Sequence, residues 1–325
     1  MKKKLLAVLV AGAMALAASA CGSGEAEETE STAGETYTIG ICQLVEHEAL
    51  DAATQGFQDA LTDEFGDAVT FDLQNAQNDS NTCSTIINGF VSSGVDMILA
   101  NATPALQAAA AGTSDIPILG TSVTEYGIAL EIDDFNGTVG GNISGTSDLA
   151  PLDQQAAMVK EWFPDAKKVG LLYCSAEANS QYQVDVVKVE LETLGYECQL
   201  YAFSDSNDLS AVCTTAAGEC DVIYVPTDNT VASNTGIIDN ICRPAGIPVI
   251  AGEEGICAGC GVATLSIDYY ELGRTTGQMA VKILKGEADI SDMAIEYYPN
   301  PVKKYNETNA TQLNVTIPEG YTAIG

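Results

Sequence analysis

Short β-branched and apolar runs alternate along the chain with longer stretches in which apolar residues recur every three or four positions. The short runs suit strands and the longer ones amphipathic helices, so the pattern predicts β-α-β units around parallel sheets. Strands are expected over 38–42, 69–73, 96–100 and 116–120, with helices beginning near Ala49, Ser80 and Pro104. The same order then returns: strands over 168–173, 197–203, 221–225 and 247–252, with helices near Asn179, Asp208 and Asn229. Aligned on itself, TIGIC matches VGLLY, VDMILANATP matches CDVIYVPTDN, and DIPILGTS matches GIPVIAGEE, at offsets of about 125 to 131 residues. The prediction is an α/β chain of two similar doubly wound, parallel-sheet lobes rather than one large sheet.

A glycine-rich polar segment, residues 140–151, suits a crossover between lobes. A further helix over 269–285 follows the run GVATLSID, and the last strand-like run is 313–317. These complete the lobes through three crossovers, with lobe one over 37–147 plus about 270–296 and lobe two over 148–269 plus about 297–325. Ligands of open parallel sheets sit beyond the carboxyl ends of the strands. Six loops are therefore candidates to line a shared cleft: 43–47, 101–104 and 121–124 from lobe one, and 174–180, 226–229 and 253–255 from lobe two.

The two ends of the chain and its charge narrow the setting. Lys2, Lys3 and Lys4 precede the apolar run LLAVLVAGAMALAASA and then Cys21, which reads as an export signal over residues 1–20. Ala18, Ser19 and Ala20 before Cys21 resemble a lipobox, implying cleavage there and a lipid on Cys21; ordinary cleavage with Cys21 incidental is the alternative. Residues 21–36 are too polar to bury a core and read as a flexible acidic tether. No second long apolar segment follows, so the body is expected outside the membrane, held by its lipid. A formal net charge of −32 repels phosphate and excludes nucleic acid as a partner.

The stretch GEEGICAGCG (252–261) pairs two glutamates with a C-x-x-C. A structural zinc site needs four ligands, and no second C-x-x-C or histidine pair completes one, so no metal is expected. Cys257 and Cys260 lie among glycines before a strand, unlike a redox dithiol at a helix start; a local disulfide and free thiols both remain open. His47 is the sole histidine and has no nucleophile turn to serve, so no catalytic residue or cofactor is expected.

The segments IGICQLVEHEALDAATQGF, NAQND, ILANATPALQAAA, GTSDL, EANS, YVPTDN and ATLSIDYYELGRTTGQMAVKILKGE resemble the solute-binding lipoproteins of ABC importers for tryptophan, tyrosine or phenylalanine. The likeness runs in order from about Tyr37 to Pro318. It implies a periplasmic-binding fold of type I, no catalysis, monomeric action, and delivery of a small ligand to a membrane permease driven by a separate ATPase. The chain departs from the family at Glu48, where proline is usual, and in carrying Cys83, Cys213, Cys220, Cys257 and Cys260.

A free amino acid needs an acid for its ammonium, and hydroxyls or backbone N–H groups for its carboxylate. Glu254 is the expected ammonium partner, two residues past the run IPVIAG in a turn resembling the G-x-E-G of amino-acid binders; a solvent-facing acid is the alternative. Asp228 is the second acid, either ligand contact or cap of the helix at Asn229. Thr103 and Thr227 stand at helix starts, where free N–H groups favour an anion, or serve as plain caps. Thr121 and Ser122 on one wall, and Asn179, Ser180 and Asn229 on the other, add neutral polar groups, with Glu46 and His47 on the first loop. The six loops hold almost no aromatic residues, which favours a zwitterion over a sugar stacked on rings. A sugar or nucleoside ligand, a lipoprotein that signals to a sensor, and an exported metalloenzyme using His47 and the cysteines are the remaining readings.

Overall fold

The structure is a computed structural model, and it describes residues 35–324. The expected export signal, Cys21 and most of the tether lie outside those residues. Strand β1 (Tyr37–Gln43) is buried from its third residue onward, as a parallel strand covered by helices on both faces must be. After it come α1 (Glu48–Phe65), β2 (Val69–Asn75), α2 (Ser80–Ser93), β3 (Met97–Asn101), α3 (Thr103–Gly112), β4 (Ile118–Val123), α4 (Tyr126–Ala129) and β5 (Ile143–Ser147). A second series follows as α5 (Leu152–Trp162), β6 (Lys168–Cys174), α6 (Ala178–Thr193), β7 (Glu197–Phe203), α7 (Ser206–Glu219) and β8 (Val222–Val225). It continues through α8 (Asn229–Ala232), α9 (Thr235–Ala245), β9 (Val249–Ala251), α10 (Glu254–Cys260) and β10 (Ala263–Ser266). The closing elements are α11 (Tyr269–Leu284), β11 (Glu296–Tyr297), β12 (Val302–Tyr305), α12 (Glu307–Gln312) and β13 (Thr322–Ala323).

One sheet has the order β11-β5-β4-β3-β1-β2 and the other β13-β12-β10-β9-β8-β6-β7. Every pairing among these named strands is parallel except β10 with β12. The chain passes between the sheets three times: from β5 to α5, from β10 to α11, and from β11 to β12. Ile39, Phe57, Leu61, Leu99 and Met279 form the core on one face of the first sheet, and Ile87, Phe90, Ile98 and Leu106 fill the other. The second sheet is covered likewise, with Trp162 packed against Phe163, Tyr305 and Tyr321 rather than facing a ligand.

Helix α11 returns to lie against α1, and glycine sets how close the two come. A Cβ on Gly273 would stand 2.0 Å from the Ala53 carbonyl oxygen, and one on Gly56 would stand 2.1 Å from that of Tyr270. Ala49 and Ala53 pack with Ile267, Tyr269 and Leu272, which seats the start of α1 beside the crossover at 267–268.

The run 313–317 is not a strand. Leu313 caps α12, Asn314 adopts φ +52°, and the Val315 N–H bonds back to the Ala310 carbonyl, a left-handed helix ending that uses Leu313 and Val315 to cover the second core. The pair β12 and β13 extends the second sheet instead.

Candidate functional site

Loops leaving the carboxyl ends of the first sheet meet those of the second. His47 Nε2 lies 3.2 Å from Asn229 Oδ1, and Asn78 Nδ2 donates to Thr230 Oγ1 at 3.0 Å, so the lobes are shut on each other. Non-glycine residues with positive φ gather on the first-lobe side of this seam: Gln77, Asn78, Ala102 and Ser122.

Behind the seam is a narrow cavity. His47, Ala49 and Leu50 line it from lobe one, and Thr227, Asp228, Asn229, Ala232 and Glu253 from lobe two; Asp148 and Tyr269 enter from two of the crossovers. Its volume is about 10 Å³, close to the least that accommodates one water molecule. Admitting or holding anything as large as an amino acid therefore requires the lobes to sit further apart than they do in this structure.

Four carboxylates are buried at or beside this cavity, and their bonds distinguish them. Glu177 accepts from the N–H and side-chain amide of Asn229, the N–H and hydroxyl of Thr230, and Asn179 Nδ2. Asp228 caps α8 through the Val231 N–H at 2.9 Å and accepts from the Cys174 N–H at 2.7 Å. Burial and the neighbouring Glu177 charge push its carboxyl above the usual range, against the pull of those two backbone donors. Glu253 caps α10 through the N–H groups of Gly255 and Ile256, and burial raises it to about 7. Asp148 is 5 % exposed; its Oδ2 accepts the Tyr269 hydroxyl at 3.1 Å, while its Oδ1 has no partner. Burial raises it to about 6, against the pull of the nearby Thr124 and Tyr269 hydroxyls and its own N–H, and of the four it alone has an oxygen with no partner at hydrogen-bond geometry.

The 18-residue helix α1 also begins at this cavity. Its cap residue His47 is extended and makes no side-chain bond to the helix amides, whereas α8, α10 and α11 are capped by Asp228, Glu253 and Asp268. An uncapped N-terminus of a long helix presents N–H donors and the positive end of the helix dipole. Burial lowers the basicity of the His47 ring. The cavity thus brings together a helix start without a side-chain cap and a carboxylate with one unpartnered oxygen.

Of the residues expected from sequence, His47, Thr227, Asp228 and Asn229 line this cavity. Asn179 and Ser180 are buried beneath them, Asn179 bonding Glu177 and the Thr227 carbonyl and Ser180 supporting Asp228. Thr103 is buried at the start of α3, and Ser122 is buried with an unpartnered hydroxyl; neither is among the cavity-lining residues. Thr121 turns inward instead, to a hydroxyl cluster with Thr146 and Thr276. Glu46 is exposed, on an outer groove with Gln43 and Asp51. Glu254 pairs with Lys304 in an adjoining pocket, because its neighbour Glu253 takes the inward-facing cap position. Asp148, Tyr269 and Glu177 were not expected; they lie in the quoted segments GTSDL, SIDYYELG and EANS, but nothing in the pattern marks them as meeting. Cys257 and Cys260 occupy the end of α10 as buried free thiols, held well above the usual thiol range by burial. Among the described residues no cluster of three or more His, Cys, Asp or Glu could hold a metal ion, and no helix is long and apolar enough to cross a membrane.

A profile of the family described as ABC transporter substrate binding protein matches residues 38–323. The chain belongs to that family. It is 38 % identical over 298 residues to the tyrosine-binding protein of Clostridioides difficile strain R20291, covering 88 % of this chain and 85 % of that one. A Streptococcus pneumoniae ABC domain solved in complex with L-Trp superposes with a TM-score of 0.85 at 31 % identity, covering 89 % of this chain and all of the other. A Clostridium difficile substrate-binding protein with adhesive properties, solved ligand-free and open, gives a TM-score of 0.68 at 38 % identity, covering 89 % of this chain and 99 % of that one. The better overlay is with the complex, despite its lower identity, which agrees with the shut seam between His47 and Asn229. This substrate-binding protein has the type I fold, and its family works outside the cytoplasm as ligand carrier.

Proposed function

We propose that this substrate-binding protein carries a free aromatic amino acid in the interlobe cavity. The ammonium group goes to Asp148 Oδ1, and the carboxylate to the uncapped start of α1 beside His47. The observation that carries this reading is the unpartnered, buried Asp148 oxygen on a residue that lines, with His47 at the uncapped start of α1, a cavity made by both lobes. Charge-assisted hydrogen bonds contribute roughly 1.5 to 3 kcal/mol each, and micromolar affinity needs about 8 kcal/mol, so three or four such bonds with burial of the side chain are enough. Relatives named for tyrosine and bound to L-Trp support the ligand class. Closure is favoured only by contacts the ligand makes to both lobes. The closed form then delivers its cargo, chemically unchanged, to an ABC permease, and the protein works as a monomer tethered by lipid on Cys21. A thermal-shift panel of amino acids, sugars and nucleosides tests the ligand class. A ligand at a hundredfold excess over its Kd adds about 2.7 kcal/mol of stability, so tyrosine, tryptophan or phenylalanine should raise Tm by several degrees. Shifts with sugars or nucleosides alone would refute it.

A further inference from the structure

The narrow cavity has no room for a ring, and a larger pocket adjoins it. That pocket measures about 260 Å³, and Ala49, Glu253 and Tyr269 line both spaces. It lies at the hinge, walled by Ala52 and Tyr270 from α1 and α11, by Ile267 and Tyr298 from two crossovers, and by Val302 from β12. Aromatic and aliphatic side chains thus face one another across the two lobes, in a space near the lower end of small-molecule pockets, roughly 300 to 1,000 Å³. Asp268 and the Glu254–Lys304 ion pair supply polar groups on the same walls.

We infer that this hinge pocket is the side-chain subsite, receiving the aromatic ring of an amino acid whose charged end is held in the narrow cavity. The inference rests on the cleft reading above and adds the part that discriminates among amino acids. Three tyrosines and four aliphatic residues offer a ring the flat, apolar contact it loses on leaving water. A phenol hydroxyl or an indole N–H entering the pocket finds acceptors in Asp268 and Glu254. Glu254, expected from sequence to hold the ammonium, thereby gains a different task at the other end of the ligand. Because the walls come from both lobes, a buried ring adds contacts that exist only in the closed form. The subsite therefore links ring recognition to closure.

The test uses calorimetric titration of L-tyrosine into the mature wild-type protein, Ala52→Trp and Tyr298→Ala, with each protein's thermal unfolding recorded without ligand. Ala52 is half-buried on the pocket wall, so tryptophan there fills the pocket without entering the core. Tyrosine affinity is expected to fall by about tenfold or more in Ala52→Trp, and by a smaller factor in Tyr298→Ala, with unfolding temperatures unchanged. Should Ala52→Trp not fold, Tyr298→Ala decides alone. Affinities within about twofold of wild type in the folded variants would place the ring elsewhere and overturn the subsite while leaving the cleft reading intact. A wild-type protein that binds no aromatic amino acid would overturn the cleft reading, and the subsite with it.

Discussion

Glu177 holds the second-lobe wall of the cleft, and Glu177→Gln exposes how much its charge contributes. The carboxylate accepts from two backbone N–H groups at the start of α8, those of Asn229 and Thr230, one on each oxygen. An amide can satisfy only one of them; its NH₂ must face the other, leaving a buried donor without an acceptor. An orphaned donor costs about 1 to 3 kcal/mol, and the remaining bonds lose the strengthening that a charged acceptor gives. Against this, removing the charge relieves the repulsion that helps raise Asp228. The bonds should outweigh the repulsion, because five donors converge on Glu177 while Asp228 keeps its own two backbone donors. The net loss is about 2 to 4 kcal/mol, equivalent to a fall in Tm of roughly 3 to 7 °C for a protein of this size. Far-UV circular dichroism melts without ligand measure it. An unchanged or raised Tm would show that like-charge repulsion, not hydrogen bonding, dominates at this position.

Three other outcomes are expected. Gly273→Ala should lower Tm by the equivalent of about 1 to 3 kcal/mol, because its methyl meets the Ala53 carbonyl; a silent substitution would mean that α1 and α11 separate without cost. Asp148 is raised from 3.8 to about 6, so the folded chain retains a proton that the unfolded chain has released. Its contribution to stability is therefore full below about pH 4 and lost as pH rises through 6, and Asp148→Asn should gain stability relative to wild type across that window, on the order of 3 kcal/mol in urea titrations. A difference that does not vary with pH would contradict the shift. Finally, all nine cysteines among the described residues are free thiols and only Cys198 is more than slightly exposed, so a thiol reagent should titrate one of them readily in the native state and all nine after denaturation. A denatured count two lower would reveal a disulfide.

The strands were legible because burial on both faces leaves continuous apolar runs, and the two lobes because the runs recur at a nearly constant offset. The cleft was legible only where loop position alone brings residues to the seam, as for His47 and for Thr227, Asp228 and Asn229. Glu253 and Glu254 are adjacent and alike in sequence. Which one faces inward depends on the residue that takes the extended cap position of α10, and that is Glu253. Thr121 illustrates the opposite limit: a hydroxyl at a strand end is as well satisfied by Thr146 and Thr276 inside the lobe as by a ligand outside it. Asp148 and Tyr269 stand 121 residues apart and meet only because two crossovers run side by side, which no local pattern encodes. The apolar run at 313–317 misled for a related reason, since the spacing that suits a strand also suits a helix ending folded onto the core.

The central claim is that the unpartnered carboxylate of Asp148 holds the ammonium of an aromatic amino acid between the lobes. Calorimetric titration of L-tyrosine and L-tryptophan into the wild type and Asp148→Asn tests it directly. One site with a Kd of about 1 μM or tighter is expected for at least one of the two in the wild type, weakened about tenfold or more by a substitution that leaves the protein folded. Equal affinity in both proteins, or no binding of either amino acid to the wild type, would contradict it.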